Sequence, residues 1–290
     1  MIAGDVALVL EGGGMRAAWS SGVLNVLLER DVRTGWVGGI SAGSTCTVNW
    51  LVRDQERTRR AFTDFAAERD FGGWVSWMRG RGYFNAEWIY ERSSLPGEVL
   101  PLDFKAVQTN PAPFAVGGFR ATDGAMVYWG RDDIEEPLDL LKRVRASSTM
   151  PLLMPWTVID GEVYCDGALG PTGGYPIDAA KAAGFRRFLV VTTRTRDYVK
   201  GPQRARRAMR AALRRYPAVA EGLFARPANY NRTREELFDL ERDGHALVLS
   251  PDRMPITNAE RNVARLTDVY LQGMTQTRRD LPRILDFLGG

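Results

Sequence analysis

The chain has 290 residues, 44% of them hydrophobic and 26% charged, which is typical of a globular protein with a substantial core. Cys46 and Cys165 are too few for a disulfide framework, and with a single histidine they nearly exclude a zinc site of the usual kind. The net charge of +4 permits an anionic partner such as a phospholipid surface but does not demand one.

We predict neither a signal peptide nor a membrane-spanning segment from this sequence. The first residues, MIAGDVALVLEGGG, lack the positive and long apolar regions of a signal peptide. No run approaches the roughly 18 apolar residues that span a bilayer. We therefore expect a cytoplasmic protein with at most peripheral membrane contact, and we expect no nucleic-acid partner and no cofactor.

The N-terminal region predicts alternating strands and helices. Residues 5–11 are short, apolar and stopped by glycine, which indicates a buried strand. Residues 16–30 have the apolar spacing of a helix, 35–40 form a short strand, and 43–53 continue as a helix.

The rest of the chain continues the alternation. Residues 113–130 predict a β-hairpin that turns at Thr122–Gly124, because Asp-Gly between apolar runs favours a tight turn. The further predicted elements are a helix at 135–146, two short strands within 158–168, a helix at 175–185, strands at 186–194 and 245–251, and a tail helix that opens with a capping-box pattern at 257–260 and runs to Phe287. The pattern indicates one α/β domain over residues 1–290, with a mostly parallel sheet covered on both faces and a helical extension from about residue 255.

The glycine loop after the first strand has two interpretations. Gly12, Gly14 and Ala17 fit a G-x-G-x-x-A dinucleotide fingerprint, whose amides bind pyrophosphate. That fingerprint needs an acidic residue at the end of the next strand, whereas Glu29 and Asp31 come before it. A non-catalytic dinucleotide- or phosphate-binding module stays as one alternative, and an oxyanion hole formed by Gly12, Gly13 and Gly14 is the other.

Residues 39–43, GISAG, match the G-x-S-x-G nucleophile elbow. Glycines at Gly39 and Gly43 let the chain make a sharp strand-to-helix turn that exposes the Ser41 hydroxyl above the sheet. The alternative is a serine that sits in a glycine-rich turn for its backbone freedom alone.

A serine nucleophile needs a base, and the chain offers two candidates. His245 would complete a Ser41–Asp166–His245 triad of the α/β-hydrolase type, but it comes before a strand, whereas a triad histidine follows one. Asp166 precedes Gly167, and burial near apolar residues would raise its pKa toward that of a useful base.

Three ordered motifs resemble those of the patatin-like phospholipase family, in its bacterial branch. They are GGGMR at 12–16, GISAG at 39–43 and DGA at 166–168. The stretches 145–168 and 192–202 are also similar to that family, and Ala168 replaces a glycine that many members have.

The resemblance implies a three-layer α/β/α sandwich that hydrolyses acyl esters of phospholipids, lysophospholipids or simpler esters. It implies Ser41 as nucleophile, Asp166 as the base of a dyad without histidine, and Gly12–Gly14 as the oxyanion hole. Arg16 would support that hole or the phosphate of the substrate.

Two segments have less specific interpretations. Residues 194–217 carry nine basic residues and one acidic residue, and an amphipathic helix there predicts peripheral contact with an anionic membrane through residues 204–215. A solvated helix face is the alternative. Residues 71–78, FGGWVSWM, would line an acyl pocket, form a lid or pack in the core.

Overall fold

The computed structural model describes residues 1–73, 76, 78, 80 and 82–289. The strands are β1 (Ile2–Leu10), β2 (Arg33–Ile40), β3 (Phe114–Arg120), β4 (Met126–Trp129), β5 (Thr157–Ile159), β6 (Glu162–Asp166), β7 (Arg187–Val191) and β8 (Ala246–Leu249). The α-helices are α1 (Ala17–Glu29), α2 (Ala42–Val52), α3 (Gln55–Arg60), α4 (Ala86–Tyr90), α5 (Phe104–Thr109), α6 (Pro137–Ser148), α7 (Ile177–Ala182), α8 (Arg206–Ala212), α9 (Pro217–Arg242) and α10 (Val263–Gly289).

Within the described residues the strands form one sheet in the order β5–β6–β3–β2–β1–β7–β8, and β4 pairs with β3. Strands β3, β2, β1, β7 and β8 run parallel to one another. The pairs that involve β4, β5 and β6 are antiparallel. The predicted mostly parallel sheet is confirmed, and the carboxyl ends of its parallel strands meet at one edge.

Side chains along each central strand alternate between the two faces of the sheet. In β1, Leu8 and Leu10 join an apolar cluster with α1, α2, α6 and α10, whereas Ala7 and Val9 join one with α7 and α9. Apolar residues on both faces require cover on both faces, and helices supply it. The fold is therefore a three-layer α/β/α sandwich.

Strand β6 reaches the carboxyl edge from the opposite direction. Gly117 and Gly118 of β3 both pair with β4 on one side. On the other side Gly117 pairs with Ile40 of β2, and Gly118 pairs with Asp166 of β6. Strands β2 and β6 therefore share one flank of β3 and meet end to end, so the residue after Ile40 faces the last residue of β6.

The tail helix begins later than the capping pattern predicts. The cap is Asn262, whose side-chain oxygen accepts a hydrogen bond from the Arg265 N–H at 3.1 Å, so the prediction that the helix opens at 257–260 is wrong. The carbonyl of Asn258 instead accepts a hydrogen bond from the Met15 N–H at 3.0 Å. This tertiary contact holds the segment against the glycine loop.

The basic segment forms a shorter helix than predicted. Helix α8 has 7 residues, and Leu213, which follows it, is buried against neighbouring apolar side chains. Arg210 of α8 pairs with Glu221 and stacks on the ring of Phe224. The apolar face and part of the charge are thus used in packing within the chain, and membrane contact through residues 204–215 stays a prediction. No helix in the described part of the chain is both long enough and apolar enough to cross a bilayer.

Candidate active site

Ser41 lies in a strained turn between β2 and α2. Its φ of 56° and ψ of −127° are rare for a residue with a side chain. A Cβ added at Gly39 would lie 1.9 Å from the Gly43 carbonyl oxygen, and one at Gly43 would lie 2.2 Å from the Leu10 oxygen. The turn therefore needs glycine at both positions for lack of space, which explains the G-x-S-x-G spacing.

The end-to-end meeting of β2 and β6 brings Ser41 to Asp166. The Ser41 hydroxyl donates a hydrogen bond to Oδ2 of Asp166 at 2.9 Å. The other carboxylate oxygen accepts the Ala168 N–H at 2.9 Å. Asp166 also donates its own backbone N–H to the Thr149 carbonyl at 2.8 Å, so its position is fixed from both main chain and side chain. Sequence motifs 125 residues apart thus form one hydrogen-bonded pair.

Burial raises the pKa of the Asp166 carboxyl above its ordinary value, because the charged form loses hydration. The charges of Arg226 and Lys200 and the hydrogen bonds from Ala168 and Ser41 oppose that shift. Desolvation is the largest effect, so Asp166 is a stronger base than a solvated aspartate. The predicted direction of the shift is confirmed.

The three amides of the glycine loop differ in their hydrogen bonding. The Gly12 N–H donates to the Gly174 carbonyl at 3.2 Å, whereas the N–H groups of Gly13 and Gly14 meet no acceptor among the residues that the structure describes. Gly13 and Gly14 also line the cavity with Ser41 and Asp166. Of the three glycines predicted for an oxyanion hole, only Gly13 and Gly14 therefore have an N–H group free to bind a ligand. Gly12 instead packs closely against the Ser41 turn.

Ser147, at the end of α6, supports the turn and was missed by the sequence analysis. Its hydroxyl accepts the Ser41 N–H at 2.9 Å and donates to the Gly117 carbonyl at 2.6 Å. Ser147 lies inside the stretch 145–168 that is similar to the patatin-like phospholipase family. That similarity is the one sequence signal that could have identified it. Ser147 ties the strained turn to the neighbouring strand.

A cavity of about 300 Å³ opens beside the serine and is lined by a largely apolar wall. The aromatic part of that wall consists of Phe62, Phe65, Phe71, Phe84 and Tyr90, and aliphatic side chains such as Ile89 and Leu141 adjoin it. Phe71 is the first residue of the predicted pocket or lid segment 71–78. Trp74, Val75 and Trp77 of that segment lie outside the described residues.

Five cations line the cavity, and one of them, Arg57, donates hydrogen bonds to Asn49, Ser94 and the Pro101 carbonyl. The other four are Arg16, which the resemblance suggested, and Arg194, Lys200 and Arg226, which the sequence analysis did not assign to the site. Burial and the charge of Arg194 lower the pKa of the Arg16 guanidinium to about 10. Lys200 and Arg194 lie in the basic run 194–217, so its first residues face the site.

His245 is not part of the site. It is exposed and precedes β8 at the amino edge of the sheet, where its carbonyl accepts the Phe188 N–H. Ser41 follows the carboxyl edge, and β8 alone separates the two edges by about 13 Å at roughly 3.3 Å per residue. The Ser41–Asp166–His245 triad is therefore not formed.

Comparisons with known proteins agree with the motifs. Residues 8–181 match the family model described as "Patatin-like phospholipase", and residues 216–289 match one described as a "Domain of unknown function (DUF6363)". The chain is 25% identical over 195 residues to "Uncharacterized protein YjjU" of Escherichia coli (strain K12). That alignment covers 66% of this chain and 52% of YjjU, so the chain spans about half the length of this curated relative.

The fold also has a similar solved structure. The crystal structure of VipD from Legionella pneumophila aligns with a TM-score of 0.44 at 12% identity, over 94% of this chain and 67% of VipD. The family match at 8–181 covers more than half of the chain and contains the glycine loop, Ser41 and Asp166. The chain belongs to the patatin-like phospholipase family.

Proposed function

We propose that this chain is a serine acyl hydrolase that cleaves carboxylic ester bonds of lipids, of the phospholipid or lysophospholipid class. The observation that carries the proposal is the 2.9 Å hydrogen bond from the Ser41 hydroxyl to a buried Asp166 carboxylate. A hydroxyl at a strained turn, paired with a carboxylate whose pKa is raised, has the geometry of a nucleophile with its base.

In the first half of the reaction, Ser41 Oγ attacks the ester carbonyl carbon and Asp166 takes the hydroxyl proton. The carbonyl oxygen becomes an oxyanion, which the Gly13 and Gly14 N–H groups stabilise as hydrogen-bond donors. The intermediate collapses when the C–O bond to the alcohol breaks. Asp166 returns the proton to that alcohol oxygen, which leaves an acyl-enzyme on Ser41.

In the second half, water replaces the departed alcohol. Asp166 removes a proton from water as the water oxygen attacks the acyl carbonyl carbon, and the same two amides hold the second oxyanion. The bond from the acyl carbon to Ser41 Oγ then breaks, and Asp166 returns the proton to the serine. The products are a fatty acid and the free enzyme.

The apolar wall of the cavity supports a lipid substrate over a small polar ester. Phe62, Phe65, Phe71 and Phe84 offer rings against which an acyl chain can be buried, at about 25 cal/mol per Å² of apolar surface removed from water. Both the aromatic wall and Ser41 belong to one cavity, so a chain bound there would present its ester to the hydroxyl.

Labelling with a fluorophosphonate probe tests the proposal. We expect the wild type and a His245→Ala variant to be labelled and a Ser41→Ala variant not to be labelled, with folding of all three checked by circular dichroism. Hydrolysis of p-nitrophenyl esters, lysophospholipids, phospholipids and triglycerides by the same proteins then ranks the substrates. A folded wild type that neither reacts with the probe nor hydrolyses any of these esters would refute the proposal.

A further inference from the structure

The cationic part of the cavity comes from elements on both sides of the glycine loop. Arg16 follows that loop, Arg194 and Lys200 follow β7, and Arg226 projects from α9 in the layer behind the sheet. Only Arg16 belongs to a motif that the sequence analysis assigned. The other three line the same cavity as the Ser41–Asp166 pair.

None of these four side chains forms an ion pair with a carboxylate within the described residues, although the charge of Glu11 acts on Arg16 and Lys200. Arg16 is 8% exposed, and its buried Nε meets no hydrogen-bond acceptor there. The buried Nε of Arg226 is also without an acceptor. Arg194 stacks on the Tyr198 ring with its Cζ at 4.2 Å, and the Lys200 ammonium lies 5.0 Å from the centre of the Tyr230 ring.

Arg16 is buried and the other three side chains are partly buried, so their arrangement is costly without a ligand, because buried cations in proteins are normally paired. Burial, together with the charges of Arg226, Arg16 and Arg194, lowers the pKa of the Lys200 ammonium to about 8, although the Glu11 carboxylate opposes the shift. The four charges therefore repel one another in the absence of a ligand. An anion placed among them would remove that repulsion.

Nearby carboxylates leave part of this positive charge uncompensated. Asp166 is the one carboxylate among the described lining residues. Glu11 lies behind the loop, where it accepts hydrogen bonds from the Thr193 N–H and from the Tyr230 hydroxyl. Even with both carboxylates ionised, the four cations exceed them by two charges.

We infer that Arg16, Arg194, Lys200 and Arg226 form a subsite for a phosphate monoester, so that the preferred substrate is a lipid with a terminal phosphate, such as lysophosphatidic or phosphatidic acid. The inference rests on the proposed function for the ester-cleaving step. A phosphate monoester carries up to two negative charges near neutral pH and offers three strong acceptor oxygens to guanidinium and ammonium donors. A phosphocholine headgroup would instead bring a quaternary cation into this part of the cavity.

The layout of the cavity suits such an amphiphile. The aromatic wall would take the acyl chain, the cations would take the phosphate, and the Ser41–Asp166 pair would face the ester between them. The positive charges of Arg226 and Lys200 already act on Asp166, which places the cations within electrostatic reach of the reacting atoms. A free phosphate ion has the same headgroup chemistry but no chain to occupy the apolar wall.

Binding to a Ser41→Ala variant tests this subsite without any turnover. The probes are three molecules: an alkyl-ether analogue of lysophosphatidic acid, the phosphocholine ether with the same alkyl chain, and inorganic phosphate. Calorimetry below the critical micelle concentration gives their Kd values. We expect the phosphate ether to bind about tenfold or more tightly than the phosphocholine ether, and inorganic phosphate to compete only at much higher concentration.

Charge-removing variants locate the effect. In the Ser41→Ala background, Lys200→Gln or Arg226→Gln should remove most of the preference for the phosphate ether. Arg207→Gln is the matched control, since Arg207 is an exposed cation of α8 that does not line the cavity. It should keep the preference, which separates a built subsite from the general positive charge of the protein.

Equal Kd values for the two ethers in the Ser41→Ala protein would overturn the inference, as would an unchanged preference after Lys200→Gln and Arg226→Gln are added to it. Inorganic phosphate that binds as tightly as the phosphate ether would overturn the assignment to a lipid. Loss of the preference in Arg207→Gln would overturn the location. The proposed function fails separately, through absence of fluorophosphonate labelling, and that result leaves the binding test intact.

Discussion

Two Asp-Gly dipeptides of this chain have opposite surroundings. Asp123 lies in the exposed turn between β3 and β4, where both oxygens of its carboxylate accept hydrogen bonds from Arg120 and one also accepts the Ala125 N–H. These contacts lower its pKa to about 2. Asp166 is buried at the end of β6, and desolvation raises its pKa. The same dipeptide thus gives a solvated ion pair in one place and a buried carboxyl of raised pKa in the other.

The glycines of the two dipeptides are needed for different reasons. Gly124 has a φ of 80°, which disfavours any residue with a side chain, and its nearest neighbours are side-chain atoms at 3.3 Å or more. Gly167 has no left-handed φ, but a Cβ there would lie 2.4 Å from the Gly117 carbonyl oxygen. One glycine supplies a conformation and the other supplies space for the close approach of β3 to the site. A dipeptide therefore does not specify a role without its neighbours.

Substitutions at Asp166 and Asp123 should differ most in their effect on activity. Asp166→Asn removes the proposed base for the Ser41 proton, so we expect kcat/KM on a p-nitrophenyl ester to fall by about 10²–10⁴-fold. Asp123→Asn, which changes the same side chain in the exposed turn, should leave it within about twofold of wild type. Steady-state kinetics on both folded variants measures the difference. Similar activities in the two variants would remove Asp166 from the mechanism.

The pH dependence of activity sharpens the same comparison. Asp166 must be ionised to act as a base, so kcat/KM should fall about tenfold per pH unit below its raised pKa, with the midpoint above the ordinary aspartate value of 3.8. Arg226→Gln removes a positive charge that opposes the shift and should move the midpoint to higher pH. Asp123→Asn should not move it. A midpoint at or below 3.8 in wild type would contradict the burial argument.

Substitution by alanine should destabilise the protein more at Gly167 than at Gly124. Gly167→Ala places a methyl group against backbone, so we expect a loss of about 3 kcal/mol in the free energy of unfolding. Gly124→Ala forces alanine into a left-handed conformation, which costs about 1 kcal/mol. Urea unfolding of both variants tests this order. A Gly124→Ala loss as large as that of Gly167→Ala would contradict the distinction between space and conformation.

The smallest effect is the opposite pH dependence of stability at the two carboxyls. The folded pKa of Asp166 is raised, so its contribution to stability is present below pH 3.8 and is lost as the pH rises through the folded pKa. Asp166→Asn should therefore become more stable than wild type as the pH rises through that value. The folded pKa of Asp123 is lowered, so its contribution is present above 3.8 and is lost as the pH falls toward 2.

Urea unfolding of wild type, Asp166→Asn and Asp123→Asn across this pH range measures both trends. The Asp123 effect should be small, because that residue is exposed and solvent screens its ion pair. A wild type that stays more stable than Asp166→Asn at neutral pH would show that burial of the charged carboxylate is fully compensated.

Much of the fold could be predicted because its signals are local. The apolar run before the first glycines, the elbow at Ser41 and the hairpin turn at Thr122–Gly124 all depend on neighbours within a few residues. The alternation of strands and helices then indicated the layered architecture. The tail was mispredicted, since the pattern at 257–260 has the composition of a cap while Asn258 is held by a contact with a residue more than two hundred positions away.

What the sequence by itself determined is the set of turns that glycine sterics require and the apolar periodicity that builds the layers. Only the tertiary structure decided which groups meet. The register of β2 and β6 along β3 brings Ser41 to Asp166, a hydrogen bond to Gly174 removes the Gly12 amide from the donor set, and packing of α9 adds Arg226 to the cavity. The physical reason is that hydrogen-bond partners, desolvation and charge repulsion depend on distances in space, and distances between remote segments are fixed only when the sheet and its covering helices assemble.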